Sequence, residues 1–565
     1  MSSRSRKKET DSSNAVRLEL EIKQKMRDGT RLSSDLYFPD YEGRFPTIIM
    51  RTPYSTVEGF QKVFSDEARF FASKGYAYVI QDCRGKNGSE GKYHPFRDDA
   101  QDGYDTQEWC ARQQWSNGKI GTIGASYSAW NQWATATLKP PHLKAMICTV
   151  ALPDPIINVP FQNGALVLWM AQWMAFVEGK KNTSLKIYDN LTKLYDHLPL
   201  KTMDQAFGRR SEFWQQWIKH PSADAYWKST FYENNFDRID VPVMHISGWY
   251  DDDLIGTHLN YVGMTNGKKS RSPQKLIIGP WQHHVNASRR FGKIDFGESS
   301  LIDLRDLKLK WFDYWLKGSN NGICDEPPVD IFVMGKNIWR KENEWPPKRA
   351  KHQEYFFHSN GKANTSTGDG TLSTTKPINN ETPDHFEYDP MNPCPNIYDD
   401  SFSAAEGPYD QRPVERREDV LVYSTPKLGA SLEVSGRITA KLFCSTSARD
   451  TDFWVQLTDE FPSGYSMHLT EGMIRGRYRE SLERPKLLSP GRIYEFNVDL
   501  WITSNVFLKD HQIRVDVSSS SFPKYDRNPN TGHKFGSDSE TVVAHQKLYH
   551  DSEYSSHIVL PIVPN

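Results

Sequence analysis

Three features of the 565-residue sequence predict an α/β fold with a helical insert and an all-β C-terminal half. From about residue 15 to 153, and again from 240 to 320, short apolar strands alternate with helical runs, the rhythm of a parallel sheet covered on both faces. Between 154 and 239 apolar residues recur at helical spacing without strand-like alternation. Beyond Asn320-Asn321-Gly322, strand-length runs are separated by clusters of Pro, Gly, Asn and Asp, the cadence of a sandwich or jelly roll over 321–565.

The elements follow in order. Val16–Ile22 alternates apolar and polar residues, and the turn Arg27-Asp28-Gly29-Thr30 leads into a second strand over Arg31–Phe38, so a hairpin opens the fold. Pro46–Met50 is a short buried strand that runs into Arg51-Thr52-Pro53-Tyr54. A helix over Asp66–Lys74, a buried strand over Ala77–Ile80 and a helix over Asp102–Trp109 come next. Leu143–Val150 is a strand, Val241–Ile246 and Gln274–Ile278 resume the sheet after the insert, and Asp303–Leu316 is a final amphipathic helix. The aromatics of the insert are expected to form its own core, with Trp169 and Trp173 the candidates for lining a substrate pocket. Downstream strands are expected at Val329–Met334, Glu354–His358, Leu421–Tyr423, Leu432–Phe443, Asp452–Leu457, Ile493–Asp499 and Gln512–Ser518, and the Thr-, Ser- and Gly-rich stretch Gly361–Asn380 is expected to be exposed.

Composition narrows the functional classes. A formal net charge of −1 gives no field that favours nucleic acid or anionic membrane. No apolar run reaches membrane-spanning length, and residues 1–14, expected to be disordered, carry no apolar leader core, so a cytoplasmic protein is expected. The six cysteines are scattered without C-x-x-C spacing, which points to reduced thiols rather than a disulfide framework or zinc site. No cofactor or metal is implied. Arg84-Gly85 to Gly91-Lys92 has the wrong spacing for a phosphate loop, and Tyr93 stands where a magnesium-holding hydroxyl would be needed.

The chemistry centres on Gly121-Thr122-Ile123-Gly124-Ala125-Ser126-Tyr127-Ser128. A strand that turns sharply at Ser126 into a helix would lift its hydroxyl clear of the sheet, above the helix N-terminus. That is a nucleophile elbow, although Ser128 replaces the second glycine of G-x-S-x-G. An acyl-transfer serine needs a base, a carboxylate to fix the base's tautomer, and donors for the oxyanion. Asp251, after the strand that ends at Gly248, and His283, after Gly279-Pro280-Trp281, complete the order Ser, Asp, His with each residue on a loop after a strand. Asp252, Asp253 and His284 are neighbouring competitors; one carboxylate is expected to face inward and the others to be solvated or to cap a helix, with Asp253 a candidate for a substrate cation.

These residues, together with Met26-Arg27-Asp28-Gly29, Arg51-Thr52-Pro53-Tyr54, Gln81-Asp82-Cys83-Arg84-Gly85, Ser89-Glu90-Gly91, Asp102-Gly103-Tyr104-Asp105-Thr106 and Gly248-Trp249-Tyr250-Asp251, resemble the CocE/NonD family of serine hydrolases. That group includes bacterial cocaine esterase, α-amino acid ester hydrolases and X-prolyl dipeptidyl peptidases. The resemblance extends downstream through Trp345-Pro346-Pro347 and Ser519-Ser520-Ser521-Phe522-Pro523 to the family's C-terminal jelly roll. It implies an α/β-hydrolase domain with an inserted cap, Ser126 as nucleophile, His283 as general base and Asp251 as its orienter. It also implies an oxyanion hole made of the Tyr127 backbone N–H and the Tyr54 phenol. Ala129 departs from the glycine usual three residues after the nucleophile.

The expected activity is metal-free hydrolysis of a small ester or amide, or of a short peptide, through an acyl-enzyme; assembly into a homo-oligomer is compatible with the sequence. Two alternatives stand beside it. One is an X-Pro-type dipeptidyl peptidase, which needs an acidic anchor for the substrate's free amine. The other is an inactive carbohydrate- or ligand-binding protein, against which the joint presence of Ser126, Asp251, His283 and Tyr54 speaks.

Overall fold

Residues 16–55, 57, 59–185, 191–266, 272–398 and 407–564 are described by a computed structural model, so the disorder expected of residues 1–14 lies outside the described residues. The chain divides into two compact units. The first holds the chain up to Ile147 with Gly179–Asn182 and Arg305–Ile323, and the second holds Cys148–Glu178, Thr183–Leu304 and Cys324–Asn565.

The first unit is built on the strands β1 (Val16–Lys25), β2 (Arg31–Pro39), β3 (Phe45–Thr52), β4 (Ala77–Asp82), β5 (Ser116–Ala125) and β6 (Leu143–Thr149), whose last two residues belong to the second unit. Their spatial order is β1-β2-β4-β3-β5-β6. The opening hairpin is antiparallel, and β3 runs parallel to both β4 and β5. Helices α1 (Phe60–Ser73), α2 (Asp99–Ala111) and α3 (Tyr127–Ala136) cover them. α1 begins before the expected Asp66, because Phe60 and Phe64 carry its apolar stripe back by more than a turn. Phe71 of α1 stacks on Tyr78 of β4 at 5.9 Å and meets Phe312 edge-on at 5.8 Å. Leu36, Phe38, Ile49, Val79, Cys110 and Ile120 form a buried cluster on one face of the strands. The closing helix runs over Leu304–Phe312 and widens into a π-turn over Asp313–Lys317 before Gly318, instead of continuing as one α-helix.

In the second unit the insert is indeed poor in strand. It holds a two-residue hairpin, β7 (Phe161–Gln162) and β8 (Ala165–Leu166), then α4 (Trp169–Val177) and several shorter helices. Strands β9 (Val243–Gly248) and β10 (Gln274–Gly279) pair in parallel. Val329–Val333, expected as the first strand of the jelly roll, instead pairs in parallel with β10 and carries Ile338–Glu342 antiparallel on its far side. Its near-continuous apolar run suits a strand buried on both faces, and the Lys275–Asp330 ion pair at 2.8 Å links it to β10.

Arg290–Phe291 and Ile294–Asp295 form a small hairpin of their own, and the strands from Lys351 onward make an 11-stranded sheet, antiparallel except where Thr371–Ser373 meets Leu421–Ser424. Its longest pairing joins Leu432–Thr446 to Tyr494–Phe507. The expected strands are present, and the Gly361–Asn380 stretch, expected to be exposed, holds the short strand Thr371–Ser373 with Leu372 buried. All six cysteines are free thiols, five of them buried. Among the described residues no helix is long and apolar enough to cross a membrane.

One polar cluster in the β half carries a pH signature. His550, fully buried, lies between Asp384 Oδ2 at 2.9 Å and Glu381 Oε2 at 3.0 Å, and the Tyr423 hydroxyl donates to the same Asp384 oxygen. Burial opposes charge on the imidazole, but the two carboxylates outweigh it and hold the His550 pKa above its ordinary value. A raised folded-state value means stability that is complete below about pH 6.5 and lost as pH rises through the folded-state pKa. The melting-temperature advantage of the wild-type protein over His550→Gln is therefore expected to shrink as pH is raised from 6 towards 9; thermal melts across that range check it.

Candidate active site

Strand β5 ends at Ala125, α3 begins at Tyr127, and Ser126 bridges them with φ 57° and ψ −127°, a conformation L-residues rarely adopt. The Ser126 carbonyl accepts from Ala129 N–H at 2.8 Å and Trp130 N–H at 3.0 Å, so the first turn of the helix closes directly on the bend. Gly124 is required here: a Cβ would lie 2.6 Å from the Ser128 carbonyl oxygen. Ala129, in place of the family's glycine, is fully buried and leaves the elbow formed.

Tyr127, one of the two expected oxyanion donors, is tied into a buried ionic cluster. The Tyr127 hydroxyl donates to Asp99 Oδ2 and accepts from Phe96 N–H at 3.1 Å. Asp99 faces Arg51 at 3.4 Å, and Arg51 also donates to the Asp99 carbonyl at 2.7 Å and to Gln81 Oε1 at 2.8 Å. The Arg51 carbonyl in turn accepts from Asn131 Nδ2 of α3 at 2.9 Å. Three residues on, Tyr54 is buried, its N–H bound to Thr52 Oγ1 and its ring edge-on to Phe60. Next to it Ser55 donates to Asp82, which also receives Asn87 Nδ2 and Gly88 N–H. Arg84 extends the cluster outward, pairing with Asp102 at 2.6 Å and Asp28 at 2.8 Å. The resemblance motifs are thus largely the scaffold around the elbow. Asp99 was missed in the sequence; a carboxylate in the first turn of a helix reads as an ordinary dipole partner.

Asp251 and His283 come together in the second unit. The loops after β9 and β10 are zipped by Trp249 N–H to the Gly279 carbonyl and Tyr250 N–H to the Trp281 carbonyl, both at 2.9 Å. Gly248 permits this, since a Cβ there would meet the Trp281 carbonyl oxygen at 2.0 Å. The result is a hydrogen bond of 2.8 Å between His283 Nδ1 and Asp251 Oδ1, with Ser247 Oγ donating to the other Asp251 oxygen at 2.7 Å. His284 is exposed, so of the two adjacent histidines His283 alone meets the carboxylate.

The three consecutive carboxylates are not divided into one inward and two solvated. Asp251 and Asp253 are both buried, and Asp252 is half-buried beside Lys524 Nζ at 3.6 Å. Lys524, from the β half, also pairs with Glu471 at 2.7 Å. Asp253 packs against Asn158 Nδ2 at 3.5 Å and His283 Nδ1 at 3.7 Å, behind the imidazole rather than in solvent. Burial is tolerated because a lysine, an imidazole and an asparagine surround the trio, and because burial and the neighbouring Asp251 charge push the Asp252 and Asp253 carboxyls up. Asp251, Asp253 and His283 offer donor atoms within 4.8 Å of one another. Two of these atoms are already committed to the Asp251–His283 hydrogen bond, an arrangement that suits an oriented base. Trp173, expected at the pocket, stacks on Trp217 at 6.2 Å within the insert's own core, and Trp169 is buried at the start of α4.

Fold and comparisons together define a serine hydrolase of α/β type with a β-rich C-terminal domain. The X-Pro dipeptidyl-peptidase (S15 family) pattern matches residues 28–285, and that of the X-Pro dipeptidyl-peptidase C-terminal non-catalytic domain matches 321–559. The chain is 36% identical to the cocaine esterase of Rhodococcus sp. (strain MB1 Bresler), over 95% of its own length and 97% of that protein's. A solved α-amino acid ester hydrolase superposes with a TM-score of 0.86 at 27% identity, over 98% of this chain and 97% of that one. An aminopeptidase from a marine sediment Thaumarchaeota archaeon gives 0.85 at 27%, over 100% and 99%. The chain belongs to the CocE/NonD family of serine hydrolases, a family of enzymes, which tells against the binding-protein alternative.

Breaking a buried ion pair from one side leaves an uncompensated charge and costs about 3–5 kcal/mol. Asp99→Asn, which strips Arg51 of its nearest carboxylate, is expected to lower the unfolding free energy by about that amount in urea titrations.

Proposed function

We propose that the protein hydrolyses esters of small acyl groups through an acyl-enzyme on Ser126. The observation that carries the reading is the His283 Nδ1–Asp251 hydrogen bond at 2.8 Å, which fixes the tautomer and commits Nε2 to proton transfer. In this reading Nε2 takes the Ser126 hydroxyl proton as Oγ attacks the ester carbonyl. The oxyanion that forms is met by the Tyr127 N–H, first in α3, and by the Tyr54 phenol. His283 returns the proton to the leaving alkoxide, so an alcohol departs and an acyl-serine remains. Water, deprotonated by the same imidazole, then releases the acid and restores Ser126.

Support comes from the strained backbone at Ser126, the burial of Asp251 and the relatives already described. The esterase reading is favoured over a dipeptidyl peptidase by the 36% identity to an esterase along nearly the whole chain. It is favoured also by the carboxylates beside the catalytic pair. Asp252 is engaged by Lys524 and Asp253 is fully buried, so neither stands as an open anchor for a substrate ammonium. Asp253 is accordingly read as support for the imidazole and Trp173 as core; Trp169 remains the aromatic proposed for the pocket wall.

Ser126→Ala is expected to fold normally and lose activity on aryl esters by about 10³-fold or more, and a fluorophosphonate probe should label Ser126 and no other serine. Full hydrolysis by the variant would exclude the mechanism. Burial pulls the His283 pKa down, but the Asp251 hydrogen bond and the surrounding carboxylate charges prevail and push it up to about 9. Because the base works unprotonated, kcat/KM is expected to rise with pH along a limb whose midpoint lies above the ordinary imidazole value of about 6.5; a pH–rate profile measures it.

A further inference from the structure

We propose that Asp253 is a second carboxylate support for His283, held in reserve behind Asp251 and able to take over the Nδ1–H when Asp251 cannot accept it. The inference rests on His283 being the general base.

The geometry is that of two acceptors for one donor. His283 Nδ1 lies 2.8 Å from Asp251 Oδ1 and 3.7 Å from Asp253 Oδ2, so a small tilt of the ring exchanges one carboxylate for the other. Asp253 is fully buried, and its Oδ2 has no hydrogen-bond partner among the described residues, an unusual state for a buried carboxyl oxygen. The rest of the residue is pinned. Its N–H donates to Asp251 Oδ1 at 3.2 Å, its Oδ1 accepts from Asn158, and its carbonyl accepts from Thr257 N–H in the helix that follows. A side chain so fixed, with one oxygen idle and aimed at the imidazole, is placed to receive a hydrogen bond rather than to contact substrate.

Charge explains why it waits. The charged groups that face it are Asp251, Asp252 and His283, with Lys524 beyond Asp252. Burial and the neighbouring Asp251 charge push the Asp253 carboxyl up, so it holds a proton more tightly while Asp251 is present. Replacing Asp251 by a neutral amide removes that repulsion. Asp253 then loses its proton to solvent, and its carboxylate accepts the Nδ1–H of the imidazolium formed as Ser126 attacks.

The test is a double-mutant cycle on kcat/KM with Asp251→Asn, Asp253→Asn and the pair. Loss of the orienting carboxylate in a triad costs about 10⁴-fold. With a reserve in place, Asp251→Asn alone is expected to cost about 10²-fold, Asp253→Asn alone about tenfold, and the double variant the full 10⁴-fold or more. The low-field proton signal of His283 Nδ1–H is expected to survive in Asp251→Asn and vanish in the double variant, a readout that a packing role would not move. Should Asp253→Asn fail to fold, Asp253→Ser takes its place in the cycle. Asp251→Asn falling at once to the level of the double variant, or losing the low-field signal by itself, overturns the proposal while leaving His283 as base. His283→Ala with unimpaired hydrolysis would instead overturn the mechanism on which the proposal rests.

Discussion

A single desolvated arginine organises the chain around the Ser126 elbow. Arg51 sits at the end of β3, almost wholly buried, and binds Asp99 at the start of α2, Gln81 in β4 and, through its carbonyl, Asn131 in α3. A guanidinium out of water is costly unless it is paired, and the Asp99 carboxylate at 3.4 Å together with the two hydrogen bonds to Gln81 and the Asp99 carbonyl ties these segments to it. Tyr127 joins the same cluster through Asp99, and Tyr54 lies three residues along the chain from Arg51. The Tyr127 position is therefore set by one electrostatic knot, and Tyr54 lies on the segment that leads out of it.

The proposed base and its carboxylate are fixed by a different device. Glycines at the ends of β9 and β10 let two loops close until their backbones hydrogen-bond, and the imidazole and carboxylate are carried together as a consequence. The electrostatics beneath them are crowded: three carboxylates in sequence, an imidazole, and a lysine brought in from the β half. Lys524 answers Asp252 and Glu471 together, and burial pushes Glu471 up to about 7. Burial also pushes the Asp252 and Asp253 carboxyls up, so charge in the patch is limited by burial as well as by ion pairing.

The strand-and-helix alternation, the elbow at Ser126 and the loop positions of Asp251 and His283 were legible in the sequence because each has a local signature: apolar runs, small residues at a bend, a polar residue just past a strand. What escaped was non-local. Ser466–Arg475, a fully buried strand, hides its character behind Thr470, Glu471 and Arg475, which are polar only until their partners Leu500, Trp454 and Asp452 are known. Asp99 and Lys524 likewise look like surface charges until distant chain closes over them. The fate of Asp252 and Asp253 depended on that same distant chain, and this is why the expectation of solvated carboxylates failed. Val329–Val333 was read correctly as a strand and assigned to the wrong sheet, because an apolar run states that it is buried without stating against what.

That assignment bears on how the gene could be cut. The first matched segment ends at residue 285 and the second begins at 321, so a boundary at 321 looks like a seam between separable modules. Yet Val329–Val333 covers one flank of β10, and Ile338–Glu342 covers Val329–Val333 in turn. Ending the chain at the seam would bare the apolar flank of β10 with its amides and carbonyls unsatisfied, a surface that recruits further copies edge to edge. The first twenty or so residues after the seam are, in mechanical terms, a selvedge woven onto the catalytic cloth, and a truncated protein without them would be prone to fray into aggregates.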